Sequence, residues 1–160
     1  MERVSETMKR GRSIFGIGPR LVASGGAGVI AALCILRALG VPEFAIFPDA
    51  VRAIAWAWCG VGFVIWALSA RMILRDVPRG ILMTGGVYRL SRNPMYAAFI
   101  VCVFPGLAVA TSFWPLVFAG VGMAAVFPVL IKKEEADLET AFGDAYRAYR
   151  FKTPRLFLFF

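Results

Sequence analysis

Two short segments hold most of the groups in this 160-residue chain that can do polar chemistry. The first is Gly85-Gly86-Val87-Tyr88-Arg89-Leu90-Ser91-Arg92-Asn93-Pro94-Met95-Tyr96, with guanidinium donors, two phenols and the chain's single asparagine. The second, Lys132-Lys133-Glu134-Glu135-Ala136-Asp137-Leu138-Glu139, is acidic, and Tyr146-Arg147-Ala148-Tyr149-Arg150 follows it. All four tyrosines lie in these stretches. Arg92, Asn93 and Tyr96 offer donors and an aromatic face. Glu134 and Glu135 offer carboxylates beside a low-dielectric region, where charge pairing strengthens. Such a set suits a ligand carrying an ammonium, a carboxylate and a flat ring. Pro94 fits the first turn of a helix, where its missing N–H is no loss, and the helix N-terminus behind it favours an anionic group. A blander reading also fits each segment alone. The acidic run can be a solvated helix face with Lys132 and Lys133 as anchors, and the Tyr and Arg side chains interfacial belt residues.

The elements that must position these segments are apolar. Hydrophobic residues make up 59% of the chain and charged residues 18%, against about half and about a quarter in soluble domains. Mean hydropathy is +0.71. Three uncharged runs stand out: Leu21–Leu36, extending past Arg37 towards Val41; Ala53–Ala70; and Tyr96–Ile131, which is 36 residues long. As one helix the last run would measure roughly 54 Å, against a bilayer core of about 30 Å, so it must fold back on itself. The turn falls at Thr111-Ser112-Phe113-Trp114-Pro115. The fold class expected is an all-α integral membrane protein of one domain, 1–160, with four transmembrane helices at 21–41, 53–70, 95–111 and 115–131. An N-terminal segment 1–20, a motif-bearing loop 71–94 and C-terminal helices in 132–160 complete it.

Charge then sets orientation. Of the 18 Lys and Arg residues, 16 fall before the first run, between the second and third, or after the fourth. The positive-inside rule makes that side cytoplasmic, with both termini inside. The net charge of +8 therefore describes a membrane-facing surface, and no nucleic-acid partner is expected because no basic stripe interleaves with aromatics in a soluble domain. Because spans three and four form an antiparallel hairpin, the Gly85–Tyr96 segment and the Glu134–Glu135 segment share one depth on that side, although about forty residues separate them.

Several chemistries drop out. The chain has no histidine, which excludes His-ligated metals, His-bound haem and Ser-His or Cys-His nucleophilic mechanisms, so no metal is expected. Cys34, Cys59 and Cys102 sit in apolar runs without CxxC spacing and read as buried thiols packed as small hydrophobes. About twenty mostly charged and polar residues precede the first run, too many for an ordinary signal-peptide n-region. Ser24-Gly25-Gly26-Ala27-Gly28, Gly60-Val61-Gly62 and Gly120-Val121-Gly122 follow no strand and read as small-residue helix packing, not phosphate loops.

The ordered combination Gly85-x-x-Tyr88-x-x-x-Arg92-Asn93-Pro94-Met95-Tyr96, a helical hairpin, Glu134-Glu135, and Phe142-Gly143-Asp144-x-Tyr146-x-x-Tyr149 with Pro154 resembles the isoprenylcysteine carboxyl methyltransferase and phospholipid methyltransferase group. These are integral membrane enzymes that use S-adenosylmethionine. The resemblance covers Gly80 to Arg155. It implies S-adenosylmethionine as cofactor, cradled by Tyr88, Arg92, Asn93, Pro94 and Tyr96 from one side and by Glu134 and Glu135 from the other. It implies that Arg92, Asn93, Tyr96 and Glu134 carry the chemistry, and that Tyr146, Tyr149 and Arg150 meet the substrate. Its partners would be the lipid bilayer and a lipophilic small-molecule or lipid-modified acceptor, at a cytoplasmic membrane such as the bacterial inner membrane. The group's motif is commonly Arg-His-Pro-x-Tyr; here Asn93 stands at the His position, which keeps a hydrogen bond but cannot titrate near neutrality.

Three other readings compete. A membrane reductase using a nicotinamide cofactor would look similar at the C-terminal end. A non-catalytic membrane subunit would tolerate replacement of Arg92, Tyr96 and Glu134. A small exporter would want an acidic residue inside a span, and none lies there.

Overall fold

The computed structural model describes residues 17–42 and 44–157. Arg3, Lys9, Arg10 and Arg12 of the basic N-terminal group, together with Glu43, lie outside the described residues. Among the described residues the chain is helical, without a named strand. Helix α1 spans Gly18–Ala38 and α2 spans Asp49–Asp76. Helix α3 is the apolar stretch Pro94–Ala110, α4 spans Val117–Phe142 and α5 spans Asp144–Lys152. Short 3-10 turns at Val77–Arg79, Gly86–Arg89 and Trp114–Leu116 join them. The α1 and α2 helices and the helical stretch containing α4 are long and apolar enough to cross a membrane. At 17 residues α3 is about 25 Å long, a little under a bilayer core.

Helix ends follow local chemistry. Pro94 opens α3 at its first turn, where a missing N–H costs nothing. The turn after α3 falls in the Thr111–Pro115 stretch: Ser112 takes a positive φ of 61° and Trp114-Pro115-Leu116 starts the next element. Gly143, with φ 53°, separates α4 from α5; this backbone region suits a residue without a Cβ. Inside α3, residues Ala98–Val103 form a π-helical turn. Pro105 lacks the N–H that would reach the Val101 carbonyl, and Trp58 Nε1 of α2 donates to that carbonyl instead, at 3.2 Å.

The bundle is built from two close pairs, α1 against α4 and α2 against α3. Small residues explain both. A Cβ on Gly28 would collide with the Phe118 carbonyl, and one on Gly122 would lie 2.6 Å from the Ser24 carbonyl oxygen. A Cβ on Gly62 would come within 2.8 Å of Cys102 and Val103. These glycines let backbones approach as small-residue packing allows. The α3–α4 hairpin forms as its sequence requires, yet α4 packs most extensively against α1, a pairing that hydropathy alone does not disclose. The expectation for the cysteines holds for two of three: Cys59 and Cys102 are buried, whereas Cys34 is exposed on α1. Cys34 lies on the side of α1 turned from α4, where an apolar run needs no protein cover if lipid surrounds it.

The two ends of the bundle are tied differently. At one end Ala45 N–H donates to the Ser112 carbonyl at 2.9 Å, and Trp114 Nε1 donates to the Pro42 carbonyl at 2.9 Å. At the other end the start of α1, the loop before α3, the charged half of α4 and α5 converge. That end holds the polar chemistry.

Candidate active site

The long α4 helix carries its apolar half through Lys132 and Lys133 into Glu134 and Glu135. Ile131, Glu134, Glu135 and Leu138 fall three or four residues apart and so share one helical face. That face lines a cleft of about 60 Å³ together with Val77, Leu82 and Met83 after α2, Tyr88, Arg92 and Asn93 before α3, and Tyr146 and Tyr149 of α5. Of the residues expected to act, Tyr88, Arg92, Asn93, Glu134, Glu135, Tyr146 and Tyr149 therefore share one cleft.

Arg92 and Glu135 meet across it. Arg92 Nη1 donates to Glu135 Oε1 at 2.6 Å, with side chains 7% and 6% exposed. Arg155 grips the same carboxylate: Nη2 lies 2.5 Å from Oε2 and Nε 3.1 Å from both oxygens. Charge-assisted pairs of this kind are short and directional. Backbone and side-chain bonds sew the chain's last described turn to the start of α3. Arg92 N–H donates to the Pro154 carbonyl at 2.8 Å, and the Ser91 hydroxyl to the Arg155 carbonyl at 2.9 Å. Asn93 stands at the N-cap of α3 without capping it; its Nδ2 donates to the Arg155 carbonyl at 3.3 Å, and its N–H to Ser91 Oγ at 3.0 Å.

Glu134 has different surroundings. Its Oε1 accepts the Ile17 N–H at the start of α1, at 2.9 Å, where the helix N-terminus favours a carboxylate. Tyr88 and Tyr96 both lie within Coulombic range of it. Burial, with Glu134 adding to it, pushes the Tyr88 phenol well above its ordinary range. Burial does the same to Tyr149, whose hydroxyl donates to the Tyr88 carbonyl at 2.6 Å. Tyr146 is raised chiefly by burial, against an opposing hydrogen bond with Arg92. All three are neutral phenols near neutral pH.

Three of the expected residues stand apart from the cleft wall. The Tyr96 ring packs on Phe127, 5.9 Å between centroids, at the edge of the apolar core. Pro94 is buried in the first turn of α3. Arg150 turns outward and pairs with Glu139 at 3.2 Å, with its side chain 47% exposed. Sequence reasoning missed Arg155. It lies 20 residues beyond Glu135, in no motif of its own, and only the adjoining Pro154 marked that region.

The donor set fits S-adenosylmethionine. Arg92 Nε is buried with no hydrogen-bond partner among the described residues, a donor matched to a carboxylate. Glu134 supplies a carboxylate matched to an ammonium, and the apolar and phenolic walls match a thioether and a flat ring. The cleft's 60 Å³ accommodates a few water molecules, since one water needs roughly 10–15 Å³ on that measure.

No curated protein and no solved structure matches the chain. The phospholipid methyltransferase family model matches residues 51–145, from the start of α2 through the Arg92–Tyr96 motif and Glu134-Glu135 to α5. The match takes in more than half of the sequence, and this integral membrane chain belongs to the phospholipid methyltransferase family.

Proposed function

We propose that the chain transfers a methyl group from S-adenosylmethionine to a lipophilic or membrane-delivered acceptor carrying a carboxylate, amine or thiol. The observation that carries this reading is that Arg92, whose Nε has no partner among the described residues, and Glu134 line one cleft at the end of an apolar bundle. Arg92, Asn93, Tyr88, Glu134 and Glu135 would hold the cofactor, and Tyr146 and Tyr149 would form the opposite wall. Four spans with both termini on the cytoplasmic side put that cleft at the cytoplasmic interface, the inner membrane in a bacterium. The reading draws support from the family, from the basic residues gathered at the cleft end and from the apolar length of the helices.

When bound, the cofactor supplies an already activated methyl group. The protein's own residues need only bind, orient and exclude water. Arg92 and Glu134 would fix the two charged ends of an amino-acid moiety. The neutral Tyr88 and Tyr149 phenols and the apolar wall of Val77, Leu82 and Leu138 keep the cleft poor in water. No imidazole is required for these steps, which is consistent with the structural role of Asn93 on the Arg155 carbonyl.

The test is transfer of label. Protein reconstituted in vesicles receives methyl-labelled S-adenosylmethionine with an amino phospholipid, a lipophilic carboxylate or a lipophilic thiol. Label should enter the solvent-extractable fraction with at least one acceptor and should vanish with Arg92→Ala. Label remaining wholly aqueous with all three acceptors would overturn the reading.

A further inference from the structure

Arg155 is bonded at both ends in a way that bears on Arg92. Its guanidinium takes both oxygens of Glu135, and its carbonyl accepts hydrogen bonds from Ser91 and Asn93, the residues flanking Arg92. Glu135 meets Arg92 through Nη1 alone. Two guanidinium groups thus share one carboxylate, and the triad carries one net positive charge. Of the two, Arg92 makes the fewer bonds to the carboxylate, and its Nε is buried with no partner among the described residues, on a side chain lining the cleft. Freed from Arg155, the Glu135 carboxylate could pair with Arg92 at two points, the usual fork geometry of such pairs. It would then neutralise Arg92 more fully.

We propose that Arg155 is a positioning residue: by holding Glu135, it keeps Arg92 under-neutralised and available to a ligand carboxylate in the cleft. The proposal rests on the methyl-donor reading above, in which that carboxylate belongs to the amino-acid part of the cofactor. It assigns Glu135 to the clasp and leaves the ligand's ammonium to Glu134. It also makes the Pro154–Arg155 turn part of the binding site, although the family match ends before it, at residue 145.

The experiment compares two ligands on the full chain in detergent by calorimetry. One is S-adenosylhomocysteine; the other is its decarboxylated counterpart, which lacks only the carboxylate. Wild type should bind the first about tenfold or more tightly than the second, the scale of one hydrogen bond between charged groups. In Arg155→Gln that ratio should fall towards one, and Arg155→Lys, which keeps a charge beside Glu135, should restore most of it. A merely structural role for Arg155 weakens both ligands equally and leaves the ratio unchanged. That result, or a wild-type ratio near one, would overturn the proposal. Wild type that binds neither ligand removes the methyl-donor reading itself, and the role of Arg155 with it.

Discussion

Glu135→Ala is the sharpest perturbation of the site's electrostatics. The substitution leaves the Arg92 charge in a wall where its side chain is 7% exposed, while Arg155, at 26%, can turn partly towards water. Removing one partner of a buried ion pair costs about 3–5 kcal/mol, because the other charge stays desolvated. The partial exposure of Arg155 puts the expected loss near the lower end, about 3 kcal/mol, or roughly 150-fold in the folded-to-unfolded ratio. The assay is denaturant titration in mixed micelles, followed by tryptophan fluorescence. A companion variant gives the physical cause. Replacing the whole triad by Arg92→Met, Glu135→Leu and Arg155→Met removes all three charges of the cluster together, and such replacements are often neutral or stabilising. The triple variant should regain most of the stability while binding no S-adenosylhomocysteine. A Glu135→Ala loss below about 0.5 kcal/mol would refute the reasoning. A triple variant as unstable as the single one would assign the loss to packing.

Other expectations are equally concrete. Gly28→Ala should destabilise by about 1–3 kcal/mol, because its Cβ meets the Phe118 backbone, whereas Gly26→Ala, with nothing within 4 Å, should be neutral or slightly stabilising; thermal melting of both compares them. Stability should fall with alkaline pH. The folded Tyr88, Tyr146 and Tyr149 phenols are raised by burial, so from about pH 10 upward the unfolded chain releases protons that the folded one keeps. Tyr149→Phe should shallow that decline, measured as melting midpoint against pH, and should cost about 1–3 kcal/mol at neutral pH by leaving the buried Tyr88 carbonyl unpaired.

The parts of the structure legible in the sequence are those dictated by length and charge. A 36-residue uncharged run is too long for one crossing, so it doubles back, and Arg92 and Glu135 consequently end 2.6 Å apart. Pro94 and Gly143 mark helix boundaries because each residue type suits one backbone geometry. What stayed hidden depends on which face of a helix meets which neighbour. The spacing of Tyr146, Tyr149 and Arg150 places them on one broad face, yet adjacent residues in a helix diverge by about 100°. Tyr149 therefore turns inward while Arg150 reaches Glu139. Likewise, hydropathy marks α1 as apolar without showing that Gly28 and Gly122 seat it against α4. Cys34, in the same run, ends exposed. Arg155 was unreadable because its partner lies on another element and its spacing forms no pattern.

The central claim is that Arg92 and Glu134 form a cradle for S-adenosylmethionine, and product binding tests it most directly. S-adenosylhomocysteine at a hundredfold excess over its dissociation constant should stabilise the purified protein by about 2.7 kcal/mol, read as a rise in melting midpoint. Glu134→Gln preserves an acceptor for the Ile17 N–H and should lose most of that rise. An unchanged wild-type midpoint, under conditions where a known S-adenosylhomocysteine binder responds, would contradict the account.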